Sequence, residues 1–145
     1  MTDEEKIKSI VDDMCQKDHT LGMRHMGKDC VFIRPSGNPL DKDGWNEMMN
    51  NPNVNVEDSK LLSINKLNIC GDMACVCYTS HSKFNYMGQA NDDIAVFTSV
   101  LQRVDGVWVV VHGQRSTGRT PDKELPKLEY LTVLDWIILV SYVYA

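Results

Sequence analysis

Residues 107–116 alternate in character, and His112, Gln114 and Ser116 stand at every second position of that run. On a strand they therefore project from one face. Imidazole is the side chain best suited to exchanging a proton near neutral pH in a semi-dry pocket. The Gln114 amide and Ser116 hydroxyl could hold a carbonyl or carboxylate beside it. The preceding apolar run, 94–104, is joined to this one by Asp105-Gly106, a dipeptide suited to a two-residue type I′ turn. Such a turn fixes the register: Val104 faces Val107, Ser99 faces His112 and Phe97 faces Gln114. One face then gathers Phe97, Ser99, Leu101, Trp108, Val110, His112, Gln114 and Ser116, and the other Val96, Thr98, Val100, Val109, Val111, Gly113 and Arg115. His112 is the expected catalytic residue, with Ser99, Gln114 and Ser116 beside it. The plainer alternative is a buried histidine bonded to Ser99 or to a backbone carbonyl.

Further groups could line the same pocket. Tyr78 offers a hydroxyl, and buried tyrosine hydroxyls find a partner in any case. Arg34 precedes Pro35 at the end of a short strand, from which its guanidinium could reach the pocket mouth and grip an anion with paired hydrogen bonds. Trp45 is an expected pocket or core wall. Arg115 falls on the face opposite His112 and reads as an interface or surface residue. Asp92-Asp93 could supply a carboxylate base, but two acids at a strand start are more often solvated. Cys75 and Cys77 share a strand face, and no His or further Cys at suitable spacing joins them, so packed thiols are expected rather than a zinc site.

These residues need elements to position them. Thr2-Asp-Glu-Glu5 has the pattern of a capping box, and Ile7, Ile10, Val11 and Met14 follow on one helical face. A second short helix is expected around residues 19–26, although Gly22 and Gly27 count against it. Residues 30–35 read as a short strand closed by the turn formers Ser36-Gly-Asn-Pro39. Asp43-Gly44 opens a third helix carrying Trp45, Met48 and Met49, ended by Asn50-Asn-Pro-Asn53. Strands are then expected at 61–70, 73–84, 94–104 and 107–116, the middle pair separated by a loop around Gly88. Helices followed by a run of strands indicate an α+β domain. Both faces of the last hairpin are largely apolar, which a curved antiparallel sheet with helices inside and a partner outside would satisfy. Residues 1–118 read as the domain, and 119–145 as a linker and apolar tail.

The chain has 145 residues, 43% hydrophobic and 24% charged, enough for one domain with a real core. A net charge of −5 without a basic patch argues against a phosphate-gripping nucleic-acid binder. Five cysteines, an odd number, behind an N-terminus with no apolar leader-like stretch fit a reduced, cytoplasmic protein. Residues 131–145 are apolar but contain Asp135 and fall short of the roughly 20 residues a membrane span needs. No phosphate-binding glycine loop or nucleophile elbow is present, so no cofactor is expected.

Element order together with Asp29-Cys-Val-Phe-Ile-Arg-Pro-Ser-Gly37, Gly44-Trp45, Gly71-Asp-Met-Ala-Cys-Val-Cys-Tyr78 and Asp105-Gly-Val-Trp-Val-Val-Val-His-Gly-Gln-Arg-Ser116 resembles the nuclear-transport-factor-2-like (SnoaL-like) superfamily. The last two segments are similar to strands of the calcium/calmodulin-dependent protein kinase II association domain. The resemblance implies N-terminal helices wrapped by the sheet around a conical pocket, and homodimers or larger homo-oligomers through the outer sheet face. It admits three functions: a metal-independent acid/base enzyme acting on a small carbonyl or carboxylate compound, a non-catalytic association module, or a metal-free carbonic anhydrase. The last carries a histidine run ending in serines, of which His112 and Ser116 are matched while Gln114 replaces the middle histidine. A small-molecule ligand is the expected partner, with neither nucleic acid nor membrane.

Overall fold

The computed structural model describes residues 1–122, so the apolar stretch 131–145 and most of the expected linker lie outside the described residues. Three helices, α1 (Asp3–Met14), α2 (His19–Met23) and α3 (Lys42–Met49), are interleaved with the short strands β1 (Met26–Ile33) and β2 (Pro39–Asp41). Four long strands follow: β3 (Val54–Cys70), β4 (Met73–Tyr86), β5 (Gln89–Val104) and β6 (Val107–Arg115). All six strands form one sheet in the order β2-β1-β6-β5-β4-β3. Every pairing is antiparallel except β1 with β6, which run parallel. The expected antiparallel sheet is therefore mixed at that one junction. No helix among the described residues is long and apolar enough to cross a membrane.

Helix α1 forms where its cap requires. The Glu5 amide donates to Thr2 Oγ1 at 3.2 Å and the Thr2 amide to Glu5 Oε2 at 2.6 Å, the reciprocal pair of a capping box. Its apolar stripe buries Ile7, Ile10 and Val11 against Val76, Tyr78, Leu101, Trp108 and Val110 of the sheet. Burial of that kind stabilises by about 1.5–3 kcal/mol per large aliphatic side chain. Asp3 pins the start of the helix to the last hairpin, accepting from Trp108 Nε1 at 3.1 Å and pairing with Arg103 at 2.6 Å. Both contacts hold the Asp3 carboxyl below the usual carboxylate range, the indole bond foremost. Gly22, which counts against a helix by propensity, is what lets α2 approach α1: a β-carbon there would lie 2.9 Å from Met14 Cα.

The strands run further than their apolar content suggests. β3 runs unbroken from Val54, where the pattern turns to β, through the expected strand 61–70, and the expected Gly88 loop is a tight turn, Met87-Gly88, with β5 resuming at Gln89. Met87 and Gly88 both take positive φ (49° and 84°), the signature of a primed hairpin turn. The polar stretch Gln89-Ala-Asn-Asp-Asp93 is thus strand, paired residue by residue with 82–86.

The β5/β6 hairpin departs from its expected register midway. Asp105 (φ 50°) and Gly106 (φ 79°) make the turn, and Val104↔Val107, Arg103↔Trp108 and Leu101↔Val110 pair as expected. Beyond them β6 carries one extra residue, Val111, so that Val100 faces His112, Ser99 faces Gly113 and Phe97 faces Arg115. This β-bulge exchanges the faces of every later residue on β6. His112 and Gln114 move to the outer face and Gly113 and Arg115 to the inner one. Gly113 then lies under the Phe32 ring of β1, where a β-carbon would come within 2.8 Å of Phe32 Cδ2.

Candidate functional site: a cavity between helices and sheet

Between the helices and the inner sheet face lies a cavity of about 760 Å³. Alternation along each strand selects its wall. From β1 and its flank come Cys30, Phe32 and Arg34, and from β4 Tyr78, Ser80, Ser82, Phe84 and Tyr86. Strand β5 contributes Asn91, Asp93 and Phe97, and β6 contributes Val110 and Arg115. The helices and their flanks close the other side with Met14, His19, Met23, Trp45, Met48 and Met49.

Four rings form a continuous aromatic wall. Trp45 meets Phe32 edge-on at 4.4 Å, Phe32 lies 6.4 Å from Phe97, and Phe97 stacks on Tyr78 at 5.2 Å with 6° between planes. Behind this wall the buried Tyr78 hydroxyl meets Ser99 Oγ at 3.3 Å, and burial pushes the phenol well above its ordinary range. Cys15 and Cys30 also border the cavity. Burial raises their thiols to about 12 and about 11, so both stay protonated at neutral pH and neither is a ready nucleophile.

Few of the lining side chains are charged. Arg115 Nη2 donates to Asp93 Oδ2 at 2.9 Å, with about one-fifth of each side chain exposed (18% and 20%). The same guanidinium lies over Phe84 (5.7 Å) and Phe97 (6.0 Å), distances at which an aromatic face attracts a cation. Arg34 is different: its Nη1 contacts only the thioether sulfur of Met48, at 3.8 Å, and its buried Nε has no partner among the described residues. His19 Nε2 is likewise buried and without a partner among them.

Of the residues expected to form the site, Tyr78, Arg34 and Trp45 lie together in this wall, and Ser99 sits directly behind it. His112, Gln114 and Ser116 do not join them. His112 is half-buried on the outer face between Val100 and Val31, and Gln114 is exposed there beside Thr98. Ser116 closes the strand end, its Oγ accepting from the Val96 amide at 3.0 Å. The physical reason is the bulge at Val111, which reverses the facing on which the expected grouping depends. It also brings in Arg115, expected on the outer face. Asp93 joins through the extension of β5, which its polar neighbours had masked. An imidazole–carboxylate contact of the sheet, His81 Nε2 to Asp92 Oδ1 at 2.6 Å, lies on the outer face, alternating with the inward Ser80 and Ser82. No cluster of three His, Cys, Asp or Glu side chains able to hold a metal occurs among the described residues.

A mixed sheet backed by helices over a cavity is the architecture of the NTF2-like fold, and comparison with solved structures agrees. The chain is similar to an NTF2-like protein of unknown function from Prochlorococcus marinus, with 32% identity over 83% of this chain and 96% of that one and a TM-score of 0.76. It shares the fold of a putative calcium/calmodulin-dependent kinase II association domain from Exiguobacterium sibiricum (12% identity, 84% and 97% covered, TM-score 0.69). A ketosteroid isomerase-like protein from Erwinia carotovora atroseptica has it too (15% identity, 81% and 94% covered, TM-score 0.62). Within that superfamily the chain belongs to the family described as "Protein of unknown function (DUF3804)", whose model matches residues 2–124. No curated protein matches it.

Proposed function

We propose that this chain is a small-molecule-binding protein whose ligand occupies the cavity between helices and sheet. The observation that carries the reading is the pairing of an aromatic wall with two buried, unpartnered nitrogens, Arg34 Nε and His19 Nε2, on one cavity. Leaving such groups without hydrogen bonds costs roughly 1–3 kcal/mol each, and a ligand with suitably placed acceptors removes that cost. The volume lies within the range of about 300–1,000 Å³ that small-molecule sites occupy. Proton transfer in this cavity would fall to His19 or to Asp93, whose carboxylate is held by Arg115, since His112 stands on the other face of the sheet. A thermal-shift screen of small aromatic and branched aliphatic carbonyl compounds tests the reading. Stabilisation by a subset of them, lost in Trp45→Ala, supports it, and a flat response across the set contradicts it.

A second reading, self-association through the outer sheet face, is supported by the apolar side chains left there. Val31 and Val96 are 39% and 40% exposed on adjoining parts of that face, with Val100 and Val109 half-buried beside them. The two readings are compatible, because they use opposite faces of one sheet.

A further inference from the structure

The cavity's charges do not balance. Among the described residues its wall holds two guanidinium groups, Arg34 and Arg115, and a single carboxylate, Asp93. That carboxylate is already committed to Arg115 at 2.9 Å. Arg34 is left with a thioether at 3.8 Å, a weak acceptor, and with a buried Nε that has no hydrogen-bond partner among the described residues. Arg34 is half-buried, and its Nε, taken from water without an acceptor, is unfavourable, whereas an oxyanion satisfies the planar fork through two parallel hydrogen bonds. Arg34 is also aimed at the cavity by construction. It follows Cys30 and Phe32 on the inward positions of β1 and its flank, and the ring of Phe32 carries on into the wall of Trp45, Phe97 and Tyr78.

We infer that the ligand of this cavity is a small monocarboxylic acid with an aromatic or branched apolar body, its carboxylate on Arg34 and its body along the Trp45–Phe32–Phe97–Tyr78 wall. The inference rests on the small-molecule reading above and adds the ligand's charge and orientation. One net unpaired cation asks for one negative charge, so a dianion would bring a second charge that meets only the already paired Arg115. An uncharged analogue would keep the wall contacts while leaving Arg34 as it is.

Matched acids and primary amides separate these cases: phenylacetate, naphthalene-2-carboxylate and 4-methylpentanoate, each titrated by calorimetry against its own amide. The expected result is that the acid of the tightest pair binds about tenfold or more tighter than its amide, the size of one charge-assisted hydrogen-bonded contact. In Arg34→Met that preference should collapse to parity while the amide affinity holds, and Arg34→Lys should retain part of it. If acid and amide bind the unaltered protein equally, the small-molecule reading stands and the anion inference is overturned. Persistence of the acid preference in a folded Arg34→Met protein overturns it as well, since the anion would then sit elsewhere. If no pair binds, the small-molecule reading falls and takes the inference with it. The acid–amide ratio of the unaltered protein decides the matter even where a variant fails to fold.

Discussion

Substituting Gly113 by alanine turns the bulged register into a question of sign. On the inner face, the new β-carbon would lie 2.8 Å from Phe32 Cδ2 and 3.2 Å from Cε2. That ring is 5% exposed and cannot retreat freely, because Trp45 meets it edge-on at 4.4 Å. Overpacking of this kind costs about 1–3 kcal/mol. In an unbulged hairpin Gly113 would face outward, and the same change would be neutral or would stabilise by about 0.4–1 kcal/mol through the unfolded chain. Urea unfolding of the unaltered protein and of Gly113→Ala, with Phe32→Leu in both backgrounds, reads the sign and the coupling together. The expected outcome is a lower midpoint for Gly113→Ala and a coupling to Phe32→Leu of about 1 kcal/mol or more, since the shorter side chain makes room. An unchanged or raised midpoint, or strictly additive effects, would refute the placement of β6 and with it the exclusion of His112 from the cavity.

Two further outcomes follow from other contacts. Asp3 is held below the ordinary carboxylate range, so the stability it lends is present above that range and is lost as pH falls through its folded value. Thermal melts between about pH 7 and pH 2 should therefore show a shallower acid decline for Asp3→Asn than for the unaltered protein. If the outer face joins two copies, Val96→Asp should convert a dimer to a monomer in sedimentation without changing the far-UV spectrum. An unaltered protein that is monomeric at all concentrations would contradict the second reading.

What the sequence disclosed of this molecule tracks which signals were local. Thr2 and Glu5 specify a helix start within four residues, and Asp105-Gly106 specifies a hairpin turn within two, so both are legible and both are found. The strand start at Gln89 is hidden because mouth positions carry polar residues such as Asn91 and Asp92, which look like loop. The parallel pairing of β1 with β6 joins residues some eighty positions apart, and no short-range pattern announces it. The site suffers most from one residue. Val109, Val110 and Val111 are identical in type, so alternation gives no sign of which one is extra, and a single insertion carries His112 out of the cavity and Arg115 into it. Arg34, Tyr78 and Trp45 lie before or outside that bulge, and their facing is unaffected by it.

The methionines give the most direct test of the central claim that the cavity is the binding site. Five of the eight, Met14, Met23, Met26, Met48 and Met49, line it, while Met1, Met73 and Met87 are exposed elsewhere. With the methyl groups labelled with carbon-13, titration of the best ligand from the acid–amide comparison should shift resonances of the cavity five and leave the other three in place. Shifts confined to Met73 or Met87, or none at saturating ligand, would contradict the account.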